Sequence, residues 1–176
     1  MGHLHLALNH FPVVGLFFAV ALLAYGMKKG SDDLQSASLW TFVIVAVLGA
    51  ITYFTGEPAE EMVEHMPGVT EAMIEKHEFA GTIVLILMGL VGALSIGGLL
   101  YRKKNNALHA GLSKGILALA LIAVLFTLRT ANLGGQIRHT EIRPVGAGAP
   151  GAGESGYETP EEEESEGDGM PEPANK

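Results

Sequence analysis

Residues 79–101 read FAGTIVLILMGLVGALSIGGLLY, an uninterrupted run of 23 residues with no charged side chain. A helix that crosses the hydrocarbon core of a bilayer needs about 20 such residues. The run is apolar on every side, whereas a surface helix of a soluble protein keeps one polar face. This stretch therefore predicts a transmembrane helix.

Three other stretches of the chain have the same apolar character. The four predicted spans cover about residues 4–27, 38–55, 77–101 and 112–133. Between the second and third, Pro58–Met66 predicts a short amphipathic helix, because Pro58 suits a first helical turn. Thr70 is a candidate N-cap of the third helix. We expect an all-α fold, an integral membrane four-helix bundle over residues 1–143.

The net charge of −8 belongs to the C-terminal tail. Residues 1–143 contain ten acidic and ten basic side chains, whereas residues 144–176 contain nine acidic and one basic. The tail has few large apolar residues, which predicts disorder. The body has no basic patch with interleaved aromatic residues, so nucleic acid is not an expected partner. Without cysteine, the chain has neither disulfides nor thiolate ligands, and it cannot attach haem covalently.

Basic residues follow the first and third predicted spans. They are Lys28, Lys29, Arg102, Lys103, Lys104 and Lys114. Because such residues stay on the cytoplasmic side of a membrane, both chain termini are expected on the outer side. This topology gathers six of the seven histidines on that side: His3, His5, His10, His65, His77 and His139.

His10 and His77 are the strongest site candidates, because each lies on a helix near its entry into the hydrocarbon. Two imidazoles from different helices of a bundle are suitable axial ligands for a haem iron. Arg129 and Arg138 are candidate partners for the haem propionates, since guanidinium binds carboxylate in a bidentate manner. The leading hypothesis is therefore a periplasm-facing subunit that binds b-type haem and transfers electrons to a periplasmic protein or within a larger membrane complex.

A second hypothesis is a protein that handles copper or another transition metal. Thioether and imidazole groups suit Cu(I), and the segment around the predicted amphipathic helix contains Met62, His65, Met66 and Met73. The N-terminal His3 and His5 would contribute to such a site, and His139 is a further candidate ligand.

A third hypothesis is a structural subunit without a cofactor, in contact with membrane lipid. In that case His3 and His5 are ordinary N-terminal residues near lipid headgroups, His139 pairs with Glu141, and Arg129 extends to the interface. No catalytic motif is present, so enzymatic activity is left open. The small residues Gly89, Ala93 and Gly97 form a seam on the third helix, which we expect to pack against a neighbouring helix of the same chain, with dimerisation as the alternative.

Several short motifs resemble a family of small four-helix bacterial membrane proteins, known mainly as a domain of unknown function. They are Asn9-His10-Phe11-Pro12, Thr55-Gly56-Glu57-Pro58-Ala59-Glu60-Glu61, His77-Glu78 and Gly134-Gly135-Gln136-Ile137-Arg138-His139. The resemblance covers about residues 4–143, and the last motif departs from the Leu-Val-Tyr that follows the double glycine in many members. It implies a location in the bacterial cytoplasmic (inner) membrane and supplies no activity.

Overall fold

The computed structural model describes residues 2–143, with side chains from residue 5 onward except at position 140, and this part of the chain is helical. The α-helices are α1 (Gly2–Leu8), α2 (His10–Lys29), α3 (Asp32–Phe54), α4 (Glu57–Glu60), α5 (Glu71–Asn105) and α6 (Ala110–Arg138), and a single 3-10 turn covers Thr140–Ile142. Four helical stretches are long and apolar enough to cross a membrane, and the first joins α1 to α2. The expected all-α fold with four spans is confirmed. The tail predicted to be disordered, residues 144–176, lies outside the described residues.

The long helices extend beyond the stretches that hydropathy indicates. α3 begins at Asp32, six residues before the predicted start, and the side chain of Ser31 caps it by accepting a hydrogen bond from the Leu34 amide at 3.3 Å. Asp32 and Asp33 in the first turn suit the positive end of the helix dipole. These polar turns lie outside the apolar run, which is why hydropathy alone misses them.

The segment between α3 and α5 differs from its prediction. Regular α-helix covers only Glu57–Glu60, and residues 61–66 form hydrogen-bonded turns instead of continuing the helix. The segment carries Glu57 with Glu61, and Glu60 with Glu64, at spacings of four, where like charges destabilise a helix. Thr70 precedes α5 with an extended backbone, at the predicted N-cap position, although its side chain makes no capping hydrogen bond.

The four long helices form a closed antiparallel bundle. α2 packs against α3 and α6, and α5 packs against α3 and α6. One end of the bundle is formed by α1, α4, the start of α5 and the end of α6, and we call it the histidine end because it contains His5 and His77. The opposite end, the basic end, contains Lys28, Lys29 and the basic residues at the end of α5. Arg102 there forms a salt bridge with Asp33 of α3.

Small residues allow close packing of the bundle interior. A Cβ atom on Gly92 would lie 2.8 Å from the Cβ of Ala46, and one on Gly98 would lie 2.9 Å from Leu39. The interior also contains larger side chains, including Leu16, Leu23, Phe42, Met88 and Ile116, each at most 3% exposed. Many large apolar side chains point outward, as expected of a surface in contact with lipid.

The expected intramolecular packing of the seam of Gly89, Ala93 and Gly97 is wrong. All three residues are exposed, and a Cβ atom on Gly89 or Gly97 would meet nothing within 4 Å. The neighbouring face of α5, with Gly92 and Gly98, packs against α3 instead, because Met88, Val91 and Ser95 lie on that same face.

Candidate functional site

His77, near the start of α5, forms a hydrogen bond to α6. Its Nδ1 lies 3.1 Å from the carbonyl oxygen of Thr130, and because a carbonyl only accepts, Nδ1 carries the proton. The ring lies against Gly134, where a Cβ atom would approach its Cε1 to 2.8 Å. The missing side chain at Gly134 therefore makes the space that the imidazole of His77 occupies.

His5 makes the corresponding contact on the other side of the histidine end. Its Nδ1 lies 2.9 Å from the carbonyl oxygen of Thr52, which also accepts a hydrogen bond from Thr55 Oγ1 at 2.8 Å. Carbonyl groups in the last turn of a helix have no partner within that helix, so His5 caps the end of α3. Here too Nδ1 is the protonated nitrogen.

The two histidines lie at the same end of the bundle and share one hydrogen-bonding pattern. In the neutral imidazole, a protonated Nδ1 leaves the lone pair on Nε2. This is the arrangement found in metal-ligating histidines, whose other nitrogen almost always donates to a carbonyl or carboxylate. Each ring therefore has the tautomer in which Nε2 can serve as a metal ligand.

The predicted ligand His10 lies elsewhere on its helix. The buried stripe of α2 contains Pro12, Leu16 and Ala19. Each residue turns an α-helix by about 100°, so His10 is turned about 200° from Pro12, and its side chain is exposed. His5 precedes Pro12 by seven residues, two helical turns, and shares the buried stripe. The structure thus places His5 and His77 at the same end of the bundle, each bonded to a helix carbonyl, and leaves the His10 side chain exposed.

The periodicity of the first span is the signal that sequence reasoning missed for His5. The buried face of the first span extends toward the N-terminus beyond the apolar run. Leu16, Pro12 and His5 all lie on this face by helical spacing. Asn9 lies between His5 and Pro12 on the same helical face. Its buried Oδ1 has no hydrogen-bond partner among the described residues, which leaves one acceptor available at the histidine end.

The other predicted site residues are spread over the surface of this end. His65 is 88% exposed and lies 3.3 Å from Glu64. The side chain of His139 pairs with Glu141 at 3.0 Å, as the alternative interpretation of that residue expects. Arg138 donates to Met66 Sδ at 3.5 Å. Among the described residues, no group of three or more His, Cys, Asp or Glu side chains is placed to hold a metal ion.

Arg129 lines a groove between α5 and α6, together with Lys76 and Glu75. The prediction that Arg129 and Arg138 bind propionates stays a prediction, as do the metal-ligand assignments of His10, His65 and His139.

Acidic residues of α4 and α5 meet beside the histidine pair. The carboxyl group of Glu60 lies near that of Glu78, the residue after His77. Partial burial, followed by the negative charges of Glu78, Glu64 and Glu57, raises the pKa of Glu60 above its ordinary value. The carboxyl group of Glu60 is therefore protonated more readily than that of an ordinary glutamate.

The chain matches neither a curated protein nor a solved structure. The profile of a protein family described as "Predicted membrane protein (DUF2231)" matches residues 3–141, a range that contains all four candidate membrane spans. The match covers most of the 176 residues, and it includes both histidines of the pair. The chain therefore belongs to the DUF2231 family of predicted membrane proteins.

Proposed function

We propose that this protein is an electron-transfer subunit that binds b-type haem through His5 and His77. The observation that supports the proposal is the matched hydrogen bonding of the two rings, to the carbonyl oxygens of Thr130 and Thr52. Each bond fixes the orientation of one imidazole and directs the lone pair of a neutral ring to Nε2. A bound haem would supply a one-electron redox centre at the histidine end.

The number of available ligands favours haem over a bare metal ion. A haem iron already has four porphyrin nitrogens, so two imidazoles complete its coordination, and imidazole suits iron. A structural zinc ion takes four protein ligands. Because the chain contains no cysteine, haem would be held noncovalently. The Oδ1 of Asn9, which has no hydrogen-bond partner among the described residues, is an additional polar group at the histidine end.

The proposed location is the bacterial cytoplasmic membrane, with the histidine end on the periplasmic side. The basic residues concentrated at the opposite end support this orientation. The nine acidic residues of positions 144–176 would then lie in the periplasm and attract a basic electron-transfer protein, since complementary charge raises encounter rates. The cysteine-free chain allows a direct test, in which a Ser155→Cys variant reacts with an impermeant maleimide in intact cells and an Asn106→Cys variant does not.

The haem assignment is tested by a reduced-minus-oxidised spectrum of the full chain purified in detergent after expression with added haem precursor. A sharp α band of b type is expected. His5→Asn and His77→Asn are the informative variants, because the asparagine amide can still donate to the same carbonyl while the Nε2 ligand is lost. Each is expected to lose most of the bound haem and to remain monodisperse.

Two further variants separate the competing assignments. His109→Asn, at the N-cap of α6 near the basic end, is the matched control and should retain haem. His10→Asn tests the alternative ligand. Loss of haem in His10→Asn with retention in His5→Asn would assign the site to His10 and His77. A colourless wild-type protein would reject haem binding, and metal analysis of the same untagged sample would then report on copper.

A further inference from the structure

A groove opens on the outer surface of the bundle between α5 and α6. It has a volume of about 470 Å³, within the range of roughly 300–1,000 Å³ typical of ligand pockets. α5 contributes Lys76, Phe79, Ala80 and Ile83, which share one helical face at spacings of three and four. The groove is separate from the histidine pair, since neither His5 nor His77 lines it.

The charged side chains of the groove lie toward the histidine end, where Leu133 also lies, and its deeper part is lined by apolar side chains. Lys76 is five residues from the start of α5, about 7.5 Å along the axis, and Arg129 is nine residues from the end of α6, about 13.5 Å. Ile83 and Phe126 are each twelve residues from the same ends, about 18 Å. Because α5 and α6 are antiparallel, both cations lie toward the membrane surface and both apolar side chains lie deeper. A phospholipid in the leaflet at this end has the same polarity.

The two basic side chains of the groove have no acidic partner within the described part of the chain. Neither Lys76 nor Arg129 forms a salt bridge there, although Glu75 also lines the groove. Glu75, Lys76 and Arg129 together carry one net positive charge. Phe79, 71% exposed, forms an aromatic rim beside them. The guanidinium of Arg129 and the ammonium of Lys76 are complementary to a phosphate headgroup. The apolar lining deeper in the groove is complementary to an acyl chain.

We propose that this groove is a binding site for an anionic phospholipid, with the headgroup phosphate at Lys76 and Arg129 and an acyl chain along Ala80, Ile83 and Phe126. The occupant is a membrane lipid and no soluble phosphate, because the apolar half of the groove lies at the depth of the hydrocarbon. Glu75 opposes the phosphate and sets the affinity below that of an all-basic site. The proposal is independent of haem binding.

A local fluorescence measurement tests this site in the full chain. Trp40, the single tryptophan, is exposed on α3 and is first replaced by phenylalanine. A Phe126→Trp reporter is then placed in the groove. Leu125→Trp is the matched control, at the same depth of α6 but 66% exposed and outside the groove. Each protein is reconstituted in phosphatidylcholine vesicles, and quenching by brominated phosphatidylglycerol is compared with quenching by brominated phosphatidylcholine.

The groove reporter is expected to show a preference of about fivefold for phosphatidylglycerol, and the control reporter a ratio near one. Adding Arg129→Gln or Lys76→Gln should remove most of the preference, whereas adding Glu75→Gln should increase it by about fivefold. Equal quenching by the two lipids at Phe126→Trp would overturn the proposal. So would the same preference at both reporter positions, which would show a general surface charge, or a preference unchanged by both Arg129→Gln and Lys76→Gln.

Discussion

Gly134 lies directly against the imidazole of His77, so that a Cβ atom at position 134 would approach the ring Cε1 to 2.8 Å. The same ring donates its Nδ1 proton to the carbonyl oxygen of Thr130, one helical turn earlier. The absence of a side chain at Gly134 therefore makes room for the ring, and the hydrogen bond to Thr130 places the lone pair on Nε2.

Replacement of Gly134 by alanine is expected to displace His77 and to lower both haem retention and stability. The ring must move because the added methyl group has no free space, and overpacking of this kind costs about 1–3 kcal/mol. Haem content per protein and the apparent melting temperature in detergent measure the two effects.

Gly115→Ala is the control for this change, since it lies on the same helix and its Cβ would meet nothing within 4 Å. It should leave haem content unchanged and leave stability equal or slightly higher, because alanine favours a helix over glycine by up to about 1 kcal/mol. If Gly134→Ala behaves like Gly115→Ala, the proposed tight contact does not determine the site.

The number and approximate position of the spans followed from hydropathy because a bilayer imposes a minimum apolar length. Residues 79–101 illustrate this, since a run of 23 residues without a charged side chain meets the length needed to cross a bilayer. The helix ends were less predictable, because Ser31 and the residues after it are polar and only a capping signal marks them. The predicted helix reaches Met66 and is longer than α4, because an amphipathic pattern does not take into account the repulsion between glutamates four residues apart.

The candidate site was only half predictable from the sequence. His77 was identified from its position at the membrane entry, and it is the residue that the structure connects to α6. For His5 the sequence favours an ordinary N-terminal residue near lipid headgroups, or a contributor to a copper site, and does not single it out as a haem ligand. The rotation of a helix in lipid is set by contacts with its neighbours, such as Gly15 against Val45, and these contacts are not visible in one sequence.

Glu60→Gln is expected to stabilise the protein at neutral pH and to have no effect at low pH. The folded state raises the pKa of Glu60 above its ordinary value of 4.5, so the protonated form is favoured by folding. Below the unfolded pKa the carboxyl group is neutral in both states and no penalty exists. As the pH rises through the raised folded pKa, the negative charge beside Glu78 forms and stability is lost.

The measurement is the difference in apparent melting temperature between Glu60→Gln and the wild type from pH 4 to pH 8. Because Glu60 is only partly buried, the stabilisation should stay below about 1 kcal/mol. Glu61→Gln, one position along and exposed, removes the same formal charge and serves as the control. A difference that does not depend on pH, or that is equal for both variants, would contradict the assigned interaction.

Gly92→Val is expected to destabilise the bundle strongly, whereas Gly89→Val is expected to be tolerated. A Cβ atom on Gly92 would lie 2.8 Å from the Cβ of Ala46, and neither atom can rotate away because each is bonded to the backbone. The cost should be about 1–3 kcal/mol or more for the larger side chain. Resistance to sodium dodecyl sulfate unfolding measures the effect, and equal resistance of the two variants would show that α3 and α5 are not packed as described.

Arg143 connects the end of α6 to the turn that leads into α5. Its Nε donates to Gln136 O at 2.8 Å, and its two Nη atoms donate to Ile137 O at 3.2 Å and Gly68 O at 2.6 Å. Arg143→Lys keeps the charge but replaces a planar fork of donors with a single ammonium group, which cannot reach all three carbonyls. Charge-assisted hydrogen bonds contribute about 1.5–3 kcal/mol each when well formed, and less when partly exposed.

Amide hydrogen exchange across residues 61–70 is expected to become at least about tenfold faster in Arg143→Lys, since loss of one such bond corresponds to about 1.4 kcal/mol or more. Exchange in the buried turns of α5 and α6 should stay unchanged, because those helices are held by their own packing. Arg138→Lys is the matched control, as Arg138 makes a single contact of 3.5 Å with a weak thioether acceptor. Unchanged exchange in Arg143→Lys would show that positive charge alone, and no specific set of carbonyl contacts, holds this turn in place.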